Sequence, residues 1–132
     1  MPLTKKKIVG NIGEEAATKF LRENGYTIKA RNVQLSHNEL DIVAFHRKTK
    51  MIVFVEVKTR SVDEDLYSPY GAPSSAVTLR KQIRTIQAAR DFLNENFKYK
   101  KYQPRFDVVE IYLNKTDKSL LHINHIENAF GA

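Results

Sequence analysis

The sequence predicts an α/β fold, in which helices flank a mixed central sheet of about five strands. Two segments carry apolar residues at helical spacing, and several short runs rich in Val, Ile and Phe are separated by polar turns. The order of these elements is helix, three strands, helix, two strands, which fits a single layered domain covering residues 1–132. The elements span about residues 7–24, 26–35, 39–46, 51–58, 75–97, 106–113 and 120–126.

The composition is that of an ordinary globular protein with an excess of positive charge. The chain has 132 residues, no cysteine and a net charge of +7, which suits a polyanionic partner. The lack of cysteine excludes a disulfide scaffold and thiolate metal sites. No apolar run approaches the ~20 residues of a membrane helix, and no secretory signal begins the chain. We therefore expect a cytoplasmic protein that has no membrane partner.

The first helix carries one acid that we expect to be partly buried. An arc of apolar side chains is formed by Ala16, Ala17, Phe20 and Leu21, and Glu14 lies at its edge. Carboxylates are rarely buried without a partner, so Glu14 is a candidate site residue. The alternative is an acid near the helix start that the helix dipole favours.

The next two strands place four charged residues together. A short turn at residues 47–50 joins them, and a pairing in which residue numbers sum to 97 sets Asp41 opposite Glu56. The same register sets Glu39 opposite Lys58. Because side chains alternate along a strand, all four should share one face, with Leu40, Ile42 and Ala44 on the other.

Acids opposite each other in a sheet repel, so this arrangement calls for a cation. Mg²⁺ prefers oxygen ligands and is often held by one or two carboxylates with waters and substrate phosphate. A lysine beside such acids can hold a phosphate or orient the attacking water. The alternative is a surface patch of alternating charges. That alternative suits any one of the residues alone, whereas four together on otherwise apolar strands favour a site.

These residues carry a family resemblance. Asp41 followed by Glu56, Val57 and Lys58 resembles the Asp…Glu-x-Lys signature of restriction-endonuclease-like nucleases. The resemblance to the YraN-type family of predicted endonucleases covers nearly the whole chain, and a more distant one is to archaeal Holliday-junction resolvases. The segments that carry it are residues 13–17, 25–26, 31–32, 39–44, 53–60, 76–78, 105–110 and 126–130.

The resemblance implies a restriction-endonuclease-like core and a Mg²⁺- or Mn²⁺-dependent endonuclease that cuts DNA. Asp41 and Glu56 would bind the metal, with the main-chain carbonyl of Val57. Lys58 would position or activate water, and Glu14 would be an accessory ligand. The DNA would be branched or damaged, and symmetric cuts in two strands would require a homodimer. Glu39 would adjust the electrostatics of the site or hold Lys58 in place.

Basic residues outside the signature are candidates for contacts with nucleic acid. Arg31 and Arg60 flank the proposed site in sequence, and Arg80, Lys81 and Arg84 cluster on the surface of the second helix. Arg31 could equally be a salt-bridge partner. A charge-rich helix face is usually only solvated, which is the alternative for the three residues of the second helix.

The second helix follows a long irregular segment. We expect Ser74 or Ser75 to cap it. Its core stripe is predicted to comprise Leu79, Ile83, Ile86, Leu93 and Phe97.

Tyr67 or Tyr70 of the irregular segment could stack on a base, although the sequence is equally consistent with a flexible linker. His37 could act as a general base or be a solvated loop residue.

Two other classes of function remain compatible with the sequence. One is a nucleic-acid-binding module whose acidic site is vestigial, which predicts salt-sensitive binding that loss of Asp41 leaves unchanged. The other is a structural or adaptor protein whose acidic cluster is an ion-pair network. In that case no nucleic acid would bind, and Asp41→Asn would mainly lower stability.

Overall fold

Two helices pack on opposite faces of one five-stranded sheet, as predicted. The computed structural model describes residues 2–36, 38–65 and 77–131. The strands lie in sequence order, and only β3 and β4 are parallel, so the sheet is mixed and consistent with a restriction-endonuclease-like core. The elements are α1 (Lys5–Glu23), β1 (Tyr26–Leu35), β2 (Asn38–His46), β3 (Met51–Val62), α2 (Leu79–Glu95), a 3₁₀ turn (Phe97–Tyr99), β4 (Pro104–Asn114) and β5 (Leu120–Phe130).

The predicted register of the β2–β3 hairpin is confirmed where the two strands pair. The antiparallel pairs run from His46–Met51 to Ile42–Val55, all with the predicted sum of 97. The chain then needs a crossover to make β4 parallel to β3, and α2 lies within that connection. The site residues on β3 therefore lie in the middle strand of the sheet.

The sheet separates two cores. On the α1 side, Ala17 and Leu21 pack with Ile42, Ala44 and other sheet residues, so the apolar arc predicted for α1 is confirmed. The core on the α2 side comprises chiefly Leu35, Leu40, Val43, Ile52, Phe54, Ala88, Ala89, Phe92 and Phe106. Both faces of β2 and β3 are therefore covered, which explains their nearly continuous apolar sequence.

The α2 prediction was wrong in its start and in part of its buried face. The helix begins at Leu79 with Thr78 as N-cap, whose side chain accepts a hydrogen bond from the Lys81 N–H. Ser74 and Ser75 lie outside the described residues, as do Tyr67, Tyr70 and His37.

Leu79, Ile83 and Phe97, which were predicted to lie in the core, are 71%, 59% and 73% exposed. The buried face instead carries Thr85, Ala88, Ala89 and Phe92. Small residues let the helix lie close to the sheet, where Phe92 packs edge-on against Phe54. Ile86 and Leu93 of the predicted stripe are partly buried and pack against the same core, so the prediction is confirmed for these two residues.

A buried polar network joins β4 to β1 and β5. Asp107 is fully buried, and its Oδ1 accepts hydrogen bonds from Arg105 Nε and the Asn128 N–H. Its Oδ2 accepts from Arg105 Nη2 and lies 2.8 Å from His125 Nε2. Arg105 also donates to the Tyr26 hydroxyl. This network ties the first strand to the last two.

Within the described part of the chain, no helix is long and apolar enough to cross a membrane.

Candidate active site

Asp41 lies where β2 and β3 stop pairing. Its Oδ2 accepts a hydrogen bond of 2.9 Å from the Val57 N–H, so a side chain joins the two strands just beyond the Ile42–Val55 pair. On the opposite side, Asn32 of β1 has φ of 50° and lies between the Arg31–Ile42 and Val33–Leu40 pairs. The regular alternation of the sheet is interrupted here, and the carboxylate of Asp41 is thereby directed to the site.

The expectation that four charged residues share one face is corrected by this interruption. Leu40 packs in the α2-side core with Val43, although strict alternation predicted it on the opposite face with Ile42. Asp41 accordingly lies toward α1, where it lines a cleft with Val57. Glu56 keeps the predicted orientation.

Glu56 is 8% exposed and points toward the second helix. Its Oε1 lies 3.6 Å from Nζ of Lys81, which comes from the first turn of α2. Burial and then the nearby Asp41 charge raise the pKa of Glu56 to about 7, against the opposing charges of Lys81 and Lys58. The charge of Asp41 thus adds to burial in disfavouring the ionised form of Glu56.

The pKa of Asp41 is also raised. Burial is the main cause, and the Glu39 charge adds to it. The Val57 hydrogen bond and the charge of Lys81 oppose this rise without cancelling it. For the half-buried Asp41 and the buried Glu56, the nearby positive charge therefore does not offset the effect of burial on the pKa.

Glu14 approaches the pair from α1 because of an unusually close contact between helix and sheet. A Cβ on Gly13 would lie 1.8 Å from Oγ1 of Thr59, so only glycine allows α1 to pack this closely on β3. Glu14 Oε1 is buried and has no hydrogen-bond partner among the described residues. Burial and the Asp41 charge raise the pKa of Glu14, while a hydrogen bond with the Asn32 side chain opposes the rise.

A cleft of about 720 Å³ opens above these acids. Glu14, Asp41, Val57 and Thr59 line it, and Gly10 contributes from α1. Lysines from the start of α1 and from the β4–β5 turn complete the lining, namely Lys5, Lys6, Lys115 and Lys118. We call these four the rim lysines. Acidic groups thus lie within a basic surround, which suits a phosphate-bearing ligand and a cation together.

The rim lysines were missed in the sequence. They come from segments separated by about 110 positions, so no local pattern links them, and the three-lysine run at the start of α1 is the only sequence signal.

Lys58 has a neighbour on β4 that was not predicted. It lies opposite Glu110 in the parallel β3–β4 ladder, whereas Glu39 is exposed. Glu110 is completely buried; its Oε1 accepts from Asn124 Nδ2, and its Oε2 has no hydrogen-bond partner in the described chain. An acid on β4 therefore lies beside Lys58. The pattern of a single strand could not predict this neighbour.

The predicted nucleic-acid contacts are distributed over several surfaces. Arg31 donates a 2.8 Å hydrogen bond to Glu15, as in the salt-bridge alternative. Lys81 is occupied by Glu56. Arg80 and Arg84 are exposed on α2, and Arg60 is half-buried on β3, two residues beyond the site lysine.

The donor atoms fit a hard divalent cation. Glu14 offers a buried carboxylate oxygen that has no hydrogen-bond partner in the described part of the chain, and a second carboxylate, that of Asp41, lies near it. Among the residues placed in the structure, no three His, Cys, Asp or Glu side chains form a complete cage. Mg²⁺ seldom needs one, since it retains several waters and takes one or two carboxylates.

Comparisons with known proteins give the relationship of the chain. The sequence profile of the uncharacterised protein family UPF0102 matches residues 13–111. A UPF0102 protein of Caldanaerobacter subterraneus is 39% identical over 98% of this chain and 100% of its own length. One from Caldicellulosiruptor saccharolyticus is 42% identical over 95% and 98%, respectively.

One solved structure, that of Pyrococcus furiosus SfsA in complex with Ca²⁺, aligns with a TM-score of 0.37 and 12% identity. The alignment covers 92% of this chain and 63% of that one. This likeness is too distant to bear on the function.

Proposed function

We propose that this chain, which belongs to the YraN-type family UPF0102, is a metal-dependent nuclease that hydrolyses phosphodiester bonds in DNA. The observation that carries the proposal is the cleft in which Glu14 and Asp41, two half-buried acids that repel each other, lie within the rim lysines. Burial and mutual repulsion make such an acidic centre unfavourable without a cation to neutralise it. The net charge of +7 supports a polyanionic substrate.

The carboxylates are the residues that would hold the metal. Asp41 and Glu56 are the main ligands, and Val57 contributes its carbonyl. Glu14 is an accessory ligand, whose buried Oε1 accepts no hydrogen bond from the residues that the structure describes. When bound, Mg²⁺ or Mn²⁺ neutralises charge on the phosphate and lowers the pKa of coordinated water. The raised pKa of Glu56 means that binding of a cation is coupled to release of a proton near neutral pH.

The lysines would bind and orient the phosphodiester. Lys58 follows Glu56 by two residues on β3, and it positions the attacking water or stabilises charge on the phosphate. The rim lysines hold the flanking phosphates at the cleft entrance. No nucleophilic side chain is required, because phosphoryl transfer depends on positioning and charge stabilisation.

The substrate would be branched or damaged DNA, in keeping with the family resemblance. Symmetric cuts in two strands require two sites, and therefore a homodimer.

A second candidate function is a nucleic-acid-binding module whose acidic site has no chemistry. The contact of Lys81 with Glu56 favours it, because an ammonium group at 3.6 Å already neutralises part of the charge that a metal would neutralise. In this case the basic surfaces bind nucleic acid and the acids are an internal ion-pair group.

Cleavage of a panel of DNAs by the purified chain distinguishes the two candidates. The panel comprises linear duplex, single-stranded, flapped and four-way-junction DNA, each with Mg²⁺, Mn²⁺ or EDTA. We expect metal-dependent cutting that falls at least about 100-fold in Asp41→Asn and in Lys58→Ala. Circular dichroism would establish that both variants are folded.

Glu23→Gln is the matched control, since Glu23 is an exposed acid on α1, nine residues and about 13 Å along the helix from Glu14. It should cut as the unmodified chain does. If no DNA is cut under any condition while all four proteins bind DNA equally, the nuclease proposal fails and the binding module stands.

A further inference from the structure

A groove lined by lysines and aromatic rings lies apart from the cleft. It encloses about 210 Å³, and its described lining is Lys29, Phe45, Lys98, Tyr99, Lys101 and Tyr102. We call it the lysine–aromatic groove. Three cations and three rings line it, and no carboxylate is present among the described lining residues. The 3₁₀ turn after α2 and the residues that follow it supply most of the groove.

Each lysine of the groove lies over one of its rings. The Nζ atom of Lys98 is 5.1 Å from the centroid of Tyr99, and that of Lys101 is 5.3 Å from the centroid of Tyr102. On the β1–β2 side, Nζ of Lys29 is 5.9 Å from Phe45. Such contacts are weak at exposed sites, so an anion can draw the lysine away and leave the ring available.

The rings are fixed by the core. Phe45 and Tyr102 lie 4.9 Å apart between centroids, and Tyr99 stacks on the buried Phe92 at 6.0 Å. All three groove rings are only half-buried. They therefore form a rigid aromatic surface with exposed area, which loses little conformational entropy when a planar ligand packs on it.

The groove is outside the proposed catalytic centre. Phe45 pairs with Ile52, which precedes Glu56 by four residues on β3, a separation of about 13 Å along the strand. The groove lining and the cleft lining have no residue in common.

We propose that the lysine–aromatic groove binds single-stranded nucleic acid, with phosphates on Lys29, Lys98 and Lys101 and a base stacked on Tyr99 or Tyr102. The pairing of cations with half-exposed rings selects a ligand that has both negative charge and flat apolar faces. A duplex keeps its bases stacked within the helix, so it offers the charges alone. The sugar is not specified by these contacts.

The test measures binding of fluorescently labelled dodecamers by anisotropy in EDTA, with the full chain carrying Asp41→Asn so that nothing is cut. The probes are a thymidine dodecamer, a uridine dodecamer and an abasic dodecamer of equal charge. We expect one of the base-bearing probes, or both, to bind at least about five-fold more tightly than the abasic probe, which is the effect of one stacked base. The tighter of the two identifies the preferred sugar.

Variants locate the binding. Replacing both Lys98 and Lys101 with Ala should lower the slope of log affinity against log salt by about 1.4, at about 0.7 per lost phosphate contact. The control is the double change of Lys7 and Lys19 to Ala, which removes the same charge from exposed positions on α1.

Replacing both Tyr99 and Tyr102 with Leu should abolish the preference for bases over the abasic probe, whereas replacing both with Phe should keep it, which separates stacking from folding. Equal binding of all three probes would overturn the proposal, as would a Lys98/Lys101 variant that matches its control. Neither result depends on catalysis, so the groove can fail while the nuclease proposal stands, and the reverse also holds.

Discussion

Two buried carboxylates, one row apart in the parallel β3–β4 ladder, have opposite electrostatic properties. Asp107 pairs with Val55, and Glu56 pairs with Val108. Burial alone would raise the pKa of both. For Asp107, hydrogen bonds from His125, Arg105 and the Asn128 N–H outweigh burial and lower its pKa. For Glu56, burial and the charge of Asp41 outweigh the charges of Lys81 and Lys58, and its pKa rises to about 7.

The difference lies in the partners, because the depth of burial is similar. Asp107 has two donors on each oxygen, and Arg105 supplies one to both. Glu56 has only a lysine at 3.6 Å as its ion-pair partner, and it also has the charge of Asp41 nearby. Asp107 is thus surrounded by donors, whereas Glu56, which we propose as a metal ligand, has fewer of them.

The largest effect should follow from removing the guanidinium that neutralises Asp107. Arg105→Met leaves a fully buried carboxylate without its charged partner, so the free energy of unfolding should fall by about 3–5 kcal/mol. Urea denaturation measures it. Arg90→Met, at an exposed position on α2, is the control and should change stability little. A loss of under about 1 kcal/mol for Arg105→Met would contradict the structural role.

The pH dependence of stability should be opposite for the two acids. Glu56 has an ordinary pKa of 4.5 and a folded value of about 7, so between these values the folded state holds a proton that the unfolded state releases. Stability from this group is complete below pH 4.5 and is lost as pH rises through about 7, by about 3 kcal/mol. For Asp107 the lowered pKa gives stability above pH 3.8 that is lost on further acidification.

Urea denaturation of the metal-free protein in EDTA, from pH 4.5 to 8, measures the Glu56 contribution. Glu56→Gln should flatten the decline across this range, because the neutral amide does not titrate. Equal pH profiles for the variant and the unmodified chain would mean that the acid pair is ionised in both states.

The sequence alone was sufficient for the pairing of the β2–β3 hairpin and for the position of Glu14 on α1. Constant-sum pairing predicted the β2–β3 register, and the helical period placed Glu14 at the edge of the buried arc of α1. It could not predict that Asn32 adopts φ of 50° and that Asp41 therefore turns toward α1. That outcome depends on β1, a third strand, and no periodic pattern in the sequence shows how β1 affects its neighbour.

The errors on α2 have a related cause. The helix carries two adjacent apolar stripes, and the sequence favoured the one with larger side chains, such as Leu79 and Ile83. The structure buries the stripe of Ala88, Ala89 and Phe92, because rotation of a helix is fixed by the surface that receives it. Lys81 consequently reaches Glu56, a contact that no local pattern contains.

A smaller loss of stability should result from Gly13→Ala, which tests whether close packing of α1 on β3 brings Glu14 near Asp41. The added Cβ would lie 1.8 Å from Thr59 Oγ1, so α1 must move away, and stability should fall by about 1–3 kcal/mol. Gly10→Ala is a matched control on the same helix, since nothing lies within 4 Å of its Cβ position. It should stabilise the protein by up to about 1 kcal/mol through helix propensity. If both variants behave alike in thermal unfolding, close packing does not place Glu14.

The smallest effect should come from the metal, and it distinguishes the two acids most directly. Mn²⁺ at ten times its Kd should raise the free energy of unfolding by about 1.4 kcal/mol at pH 8, since only the folded chain assembles the ligands. The rise should vanish in Asp41→Asn and persist in Glu23→Gln, in parallel melts with Mn²⁺ or EDTA. Glu14→Gln should reduce it in part, because one accessory oxygen is lost. The Asp107 network should not respond, because its carboxylate oxygens already have donors. An equal gain in Asp41→Asn would place the metal elsewhere and leave the acid pair without its proposed ligand.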